Sequence, residues 1–230
     1  GLWPRLAPHA APLRIMRIVD AGMQNATPMV ADFVSDDIGQ EAFAYNLPNW
    51  LIRRDVLAYL ETLSNVEIIA PARVGPMLAR STGAIATLDG DRQVRAALVI
   101  AADGRDSALR EAAGISARRW SFGQKALVFA VSHPLPHDGV STEIHRTGGP
   151  FTLVPLPDRD GRPCSAIVWM ETGPEALRLA ALPAAEFEAA MTTRSCGILG
   201  PLTLASRRMV WPIISQVAER MAGERCALIA

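Results

Sequence analysis

VIAADGRDSALREAAG, Val99 to Gly114, is the stretch on which the reading of the fold turns. An apolar, strand-like run arrives at an Asp-Gly pair, and a short helical pattern starts directly afterwards, from Ser107 to a capping glycine at Gly114. Strand, glycine turn and helix in succession belong to an α/β chain. A glycine at the mouth of a strand lets a ligand approach the backbone closely. Asp103 offers hydrogen-bond acceptors there, and a helix start beyond it favours anions. A plain strand-to-helix turn would use the same residues, so the rest of the chain has to separate the two readings.

Upstream, RVGPMLARS, GAIATLDG and RQVRAALVIAADG read as a small meander, with Asp89-Gly90 as its hairpin turn. VEIIA, Val66 to Ala70, reads as a short buried strand. Before it, LIRRDVLAYLETL, Leu51 to Leu63, places Val56, Leu57, Leu60 and Leu63 at helical spacing. Arg53 and Arg54 sit at the start of that helix, where cations oppose its dipole unless an anion lies nearby. Leu13 to Ile18 is strand-like, and a looser extended region surrounds Pro48.

Downstream of Trp120 the character changes. KALVFAVS, FTLVPLP and CSAIVWM are strand-like runs, Ala184 to Met191 is helical behind Pro183, LTLASRRMVWPI reads as another strand and RCALIA as the last. The layout implies two interleaved domains. Residues 1–50 are an extended N-terminal part shared with the later β-rich block, and 51–117 belong to a mixed α/β domain. Residues 118–212 are β-rich, and 213–230 return to the mixed α/β domain. The β-rich block is expected to be mainly antiparallel, separate from the Val66 to Ala102 strands, and to line an apolar pocket. The chain has no initiator Met and closes on an apolar run, and it reads as an excised piece of a longer protein.

Bulk composition narrows the function. Lys plus Arg and Asp plus Glu both number 23 in 230 residues, which removes the electrostatic case for nucleic acid. No apolar stretch approaches the roughly 18 residues of a membrane span. Cys164, Cys196 and Cys226 are few, odd in number and widely spaced, which fits reduced thiols in a cytoplasm. His133 and His137 flank prolines with no metal-ligand spacing around them, so no metal is assigned. No G-x-S-x-G elbow presents a nucleophile. Trp169 and Trp211 lie on strand-like runs, where each is either packing or the wall of an apolar site.

Together these pieces resemble the flavin-dependent aromatic hydroxylases related to p-hydroxybenzoate hydroxylase, and within them the polyprenylphenol hydroxylases of ubiquinone biosynthesis. Their Arg-x-Asp-Leu stretch is matched by Arg53-Arg54-Asp55-Val56. Their Ala-Asp-Gly-x-x-Ser-x-x-Arg strand end is matched by Ala102-Asp103-Gly104 with Ser107 and Arg110. Their Gly-Pro-Leu-x-Leu-Leu-Pro-Leu stretch is matched by GPFTLVPLP, and a strand ending Val-Trp by Val168-Trp169; LWPRLAPHAAPL near the start is similar too.

The resemblance implies an FAD/NAD(P)-binding three-layer α/β domain, incomplete in this chain, interleaved with a mainly antiparallel β substrate domain. It implies FAD as cofactor, NAD(P)H as reductant and O2 as oxidant, with an aromatic ring hydroxylated. Arg53 would contact the FAD pyrophosphate side, Asp103 with Gly104 the pyrophosphate region and the NAD(P)H site, and Val74 the adenine through its backbone. Phe151, Leu153, Trp169 and Trp211 would form the substrate pocket. The implied substrate is a prenylated phenol, and the implied location is cytoplasmic, at the inner membrane periphery or in a multi-enzyme complex. Two other readings stand beside it: a flavin-less scaffold subunit, and a hydroxylase of a soluble aromatic acid. The chain holds neither the family's G-x-G-x-x-G nor its Gly-Asp-Ala-Ala-His motif, and Glu143-Ile144-His145 stands where the family tends to show Glu-Arg-Phe.

Overall fold

A computed structural model describes residues 1–22, 28–146 and 148–229. Its strands are β1 (Ala11–Leu13), β2 (Ile15–Asp20), β3 (Met29–Val34), β4 (Ala44–Asn46), β5 (Val74–Arg80), β6 (Gly83–Leu88), β7 (Arg92–Ala96) and β8 (Val99–Ala101). They continue as β9 (Ala117–Ser132), β10 (Val140–Arg146), β11 (Gly149–Arg159), β12 (Arg162–Thr172), β13 (Thr203–Leu204), β14 (Met209–Ala218), β15 (Ala222–Gly223) and β16 (Cys226–Leu228). The helices are α1 (Trp3–Leu6), α2 (Asn49–Leu60), α3 (Ala108–Ala112), α4 (Gly173–Ala181) and α5 (Ala184–Arg194). The chain divides into one unit of Gly1–Ser64 with Gly123–Ile213 and a second of Asn65–Phe122 with Ile214–Ala230. By its contacts α2 falls in the first unit, whereas the sequence reading assigns it from residue 51 to the second.

The first unit is built on a sheet of order β13-β9-β12-β11-β10-β2-β3. Neighbours from β9 to β10 pair antiparallel, and β10 pairs with β2 in parallel. Strand alternation sends successive side chains to opposite faces. One face carries Leu127, Phe129, Ile144, Phe151, Leu153, Ile167 and Trp169, all buried against Ala176 and Leu179 of α4 and Phe187 and Met191 of α5. Each fully buried large side chain there contributes roughly 1.5–3 kcal/mol. Phe187 anchors this layer, with ring centroids 5.0 Å from Phe129 and 5.9 Å from Trp169.

Helix α4 has no counterpart in the sequence reading. Gly173-Pro174 looks like a chain break, yet proline in the first turn starts a helix whose Glu175 carboxylate pairs with Arg178 at 2.6 Å. Strands β3 and β10 likewise went unread. Two other expectations are corrected. Residues 66–70 form no strand, because Val66 and Ile68 stay exposed and unpaired among the described residues. LTLASRRMVWPI is two strands, β13 and β14, because the chain breaks at Ala205 and Ser206, whose N–H donates to and whose hydroxyl accepts from Ala130.

The second unit contains the meander β5-β6-β7, antiparallel throughout, with Asp89 and Gly90 both at positive φ in the turn. Beside it β8 pairs in parallel with β16, so that Cys226–Leu228 lies along Val99–Ala101. Ala101, Leu109, Ile115, Cys226 and Leu228 form this unit's core, with Met77 of β5 packed against it.

Candidate functional site

At the carboxyl end of β8 the chain turns through Asp103 and Gly104. Gly104 has φ +84°, a conformation that side chains disfavour, and the space a Cβ would occupy is open. The Asp103 carboxylate accepts from the Ser107 hydroxyl at 2.5 Å through Oδ1 and from the Leu109 N–H at 3.3 Å through Oδ2. Ser107 in turn accepts from the Arg110 N–H at 2.9 Å, which makes it the N-cap of α3. Arg110 folds back beneath the turn and donates to the Arg105 carbonyl at 2.9 Å, while its Nε is buried without a partner among the described residues. Partial burial pushes the pKa of Asp103 up, but the Ser107 hydroxyl and the N–H groups of Leu109, Asp103 and Ala108 outweigh it, holding the carboxyl below its usual range.

The motif Asp103-Gly104-x-x-Ser107-x-x-Arg110 is therefore one hydrogen-bonded unit. The Asp103 carboxylate, an acceptor only, is exposed at the turn and so can be reached by a ligand's donors. The end of a parallel strand pair, a positive-φ glycine with open space above it and an exposed carboxylate fit the ribose and pyrophosphate of a dinucleotide.

In the same unit, Val74 opens β5 opposite Leu88. It is flanked by Arg73 and Gly75, which line an open groove of about 710 Å³ together with Pro71, Ala72, Asp89 and Gly90. The groove's edge is stiffened by reciprocal bonds: Arg73 N–H donates to the Asp89 carboxylate at 2.9 Å, and Asp89 N–H to the Arg73 carbonyl at 3.0 Å.

In the first unit, Arg53 is exposed in the second turn of α2. Its neighbour Arg54 is engaged locally, at 2.7 Å from Asp55 and 5.4 Å over the Trp50 ring. Phe151, Leu153 and Trp169 are brought together, but on the helix-covered face, at 0%, 1% and 3% exposure. Trp211, on β14, is instead 47% exposed. The face those strands leave uncovered by α4 and α5 carries Val128, Thr152, Val154, Ala166, Val168 and Met170, all half-buried.

On β10 that same face carries Glu143 and His145, with the His145 Nε2 2.7 Å from the Glu143 carboxylate. Their spacing of two in a strand is the signal that places them side by side. Two further polar groups lie on the buried side, His133 and Arg194, and of these only Arg194 has no place in the sequence reading. Arg194, from the last turn of α5, donates to the carbonyls of Ile144 and Gly149 and lies 5.7 Å over Phe151. His133 sits between the Leu135 carbonyl at 2.7 Å and the Ser165 hydroxyl at 2.9 Å. Among the described residues no group of three or more His, Cys, Asp or Glu could hold a metal ion, and no helix is long and apolar enough to cross a membrane.

The family described as FAD binding domain matches residues 1–229. The chain belongs to that family. FAD is accordingly its cofactor. The chain is 34% identical over 229 residues to a ubiquinone hydroxylase, UbiL, of Rhodospirillum rubrum, covering 100% of this chain and 51% of that protein. It is 23% identical over 230 residues to the ubiquinone hydroxylase UbiM of Neisseria meningitidis, covering 100% and 49%. The chain thus spans about half the length of these relatives. Among solved structures, it superposes on PqsL of Pseudomonas aeruginosa in complex with 2-aminobenzoylacetate with a TM-score of 0.82 and 18% identity, covering 100% of this chain and 63% of the other. The flavin-dependent monooxygenase PieE, in complex with FAD and substrate, gives 0.71 at 17% identity, covering 100% and 43%. These likenesses establish the fold as that of the FAD-binding monooxygenases.

Proposed function

We propose that the protein is an FAD-dependent monooxygenase that hydroxylates the ring of a polyprenylphenol in ubiquinone biosynthesis, using NAD(P)H and O2. The observation that carries this reading is the 34% identity to a ubiquinone hydroxylase over essentially the whole chain. Bound FAD supplies the chemistry of oxygen activation and transfer; the chain's own residues bind, orient and exclude water. Gly104 opens the backbone to the dinucleotide, and Asp103 accepts hydrogen bonds from it. Arg53 meets the pyrophosphate, and Val74 offers its backbone to the adenine beside the groove.

In the first unit, Val128, Thr152, Val154, Val168 and Met170 form the apolar wall against which the phenol ring lies. Phe151, Leu153 and Trp169 back that wall from the helix side and fix its shape, and Trp211 adds an exposed aromatic surface. An apolar wall keeps water from the reacting ring. The substrate's apolar tail draws the enzyme to a membrane surface. Met29, Val30 and Phe33, exposed at 74%, 57% and 51% on strand β3, support such a contact.

The test is turnover of the complete gene product with a polyprenylphenol, NADPH or NADH, and isotopically labelled O2. Flavin absorption in the purified protein and a single labelled oxygen atom in the product are the expected results. A colourless protein without turnover refutes the proposal and favours a non-catalytic relative, and a product without label refutes it by showing that the oxygen does not come from O2.

A further inference from the structure

We propose that the groove at the tip of the β11–β12 hairpin is a binding site for a phosphodiester group, held by Arg159 and Arg162. The site goes beyond the hydroxylase reading and does not depend on it.

The register of the hairpin comes first. Leu156 of β11 lies opposite Cys164 of β12, and a regular ladder continued from there would set Asp158 opposite Arg162. That would put a carboxylate beside a guanidinium, the combination that cross-strand positions favour. The chain does otherwise. A bulge between Leu156 and Arg159 inserts one residue, and Arg159 becomes the partner of Arg162. Asp160 and Gly161, both at positive φ, close the turn and fix the two arginines as the pair that flanks it. Like charges directly opposite each other work against a hairpin. Among the described residues neither arginine forms an ion pair that would relieve the repulsion. An anion bound between them would.

The surroundings give that anion a place. Arg159 and Arg162 line an open groove of about 540 Å³ in the first unit, together with Ser132, Asp160, Cys164 and Ala205. Arg162 and Cys164 are two apart on β12, and Ser132 of β9 lies opposite Cys164, so all three share one face of the sheet. Arg159 Nη1 donates to the Ala205 carbonyl at 3.4 Å, which ties its guanidinium to the groove's wall. The side chains of Arg162 and Ser132 make no hydrogen bond among the described residues, so their donors are free.

Charge and shape select the ligand. Two guanidinium groups face one lining carboxylate, that of Asp160. The Cys164 thiol adds no charge, because burial pushes its pKa up. Asp158, exposed at the bulge, does not line the groove. One net positive charge matches a monoanion. A single guanidinium fork saturates a carboxylate, whereas two forks and a hydroxyl suit the tetrahedral oxygens of a phosphate. A phosphate that carries a single negative charge at neutral pH is a diester, free in solution or in a lipid headgroup.

The experiment adds glycerophosphoglycerol, a soluble phosphodiester, to the FAD-loaded complete gene product and follows its phosphorus NMR linewidth. A second arm measures co-sedimentation with vesicles of phosphatidylglycerol and phosphatidylcholine in equal parts. The wild type should broaden the probe signal, and Arg159→Gln and Arg162→Gln should each weaken binding roughly tenfold. Flavin absorption and unfolding midpoint should stay at wild-type values, because both side chains are exposed. Arg207→Gln, an exposed arginine outside the lining, should bind as the wild type does. Vesicle binding that needs both groove arginines supports the site and assigns the diester to a lipid headgroup. Binding of the soluble probe alone supports it and assigns a small metabolite. Binding in neither arm overturns the proposal, as does binding that both groove substitutions leave unchanged. An equal loss in Arg207→Gln, or equally tight binding of acetate, overturns it too, by showing a response to surface charge or to anions in general.

Discussion

Replacing Asp103 by Ala tests whether the turn after β8 is the hydrogen-bonded unit described above. The carboxylate accepts from Ser107 and from the Leu109 N–H, and both acceptors vanish with alanine. Because Asp103 is exposed, the low end of the range for hydrogen bonds applies, and the loss of a helix-capping acceptor amounts to about 1–2 kcal/mol. For a chain of 230 residues that is roughly a 2–8 °C fall in Tm. Asp103→Asn retains one oxygen and should lose only about half as much. The pH dependence has a definite sign. The folded carboxyl lies below its usual range, so its contribution is present above the unfolded value of about 3.9 and is lost as pH falls from there through the folded value. The assay is urea and thermal unfolding of the FAD-free protein at several pH values, beside an FAD titration. In that titration Asp103→Asn should weaken FAD by about one to two decades, the equivalent of one charge-assisted bond of roughly 1.5–3 kcal/mol. Unfolding of Asp103→Ala at the wild-type midpoint would refute the capping role, and equal FAD affinity in Asp103→Asn would refute the cofactor role.

Three other outcomes are expected. Phe187→Ala should cost about 3–5 kcal/mol in urea unfolding, because the ring is fully buried between Phe129 and Trp169 beneath the sheet. Burial lowers the pKa of His133, and the Leu135 carbonyl only partly offsets it, so the unfolded chain takes up the proton first. Stability should therefore hold above about pH 6.5 and fall below it, and His133→Gln should flatten that slope in denaturation midpoints measured against pH. Val168→Thr, on the face left open by the helices, should change stability by less than about 1 kcal/mol while raising KM for an apolar phenol; Trp169→Ala, one residue away on the covered face, should instead unfold the protein at lower urea, by about 3–5 kcal/mol.

Much of the local structure was legible in the amino-acid sequence by itself. Asp89-Gly90 makes a tight turn, Ser107 starts a helix and Gly114 follows its end, and Pro183 precedes α5. Each of these rests on the conformational preference of one or two residues and needs no distant partner. The family was legible too, because the spacing from Ala102 to Arg110 is a local pattern.

Tertiary structure decided the rest. Residues 66–70 are as apolar as β8, yet only β8 finds a partner, in a strand that begins 125 residues beyond its last residue. Alternation along FTLVPLP and CSAIVWM shows that two faces exist, but Phe151, Leu153 and Trp169 are core rather than exposed wall because α4 and α5 settle on their side. Which face a sheet buries depends on which elements bring matching apolar area to it, a sum over contacts distant in sequence. The same sum leaves Glu143 and His145 side by side on the opposite face, a placement set only once β10 has a covered side.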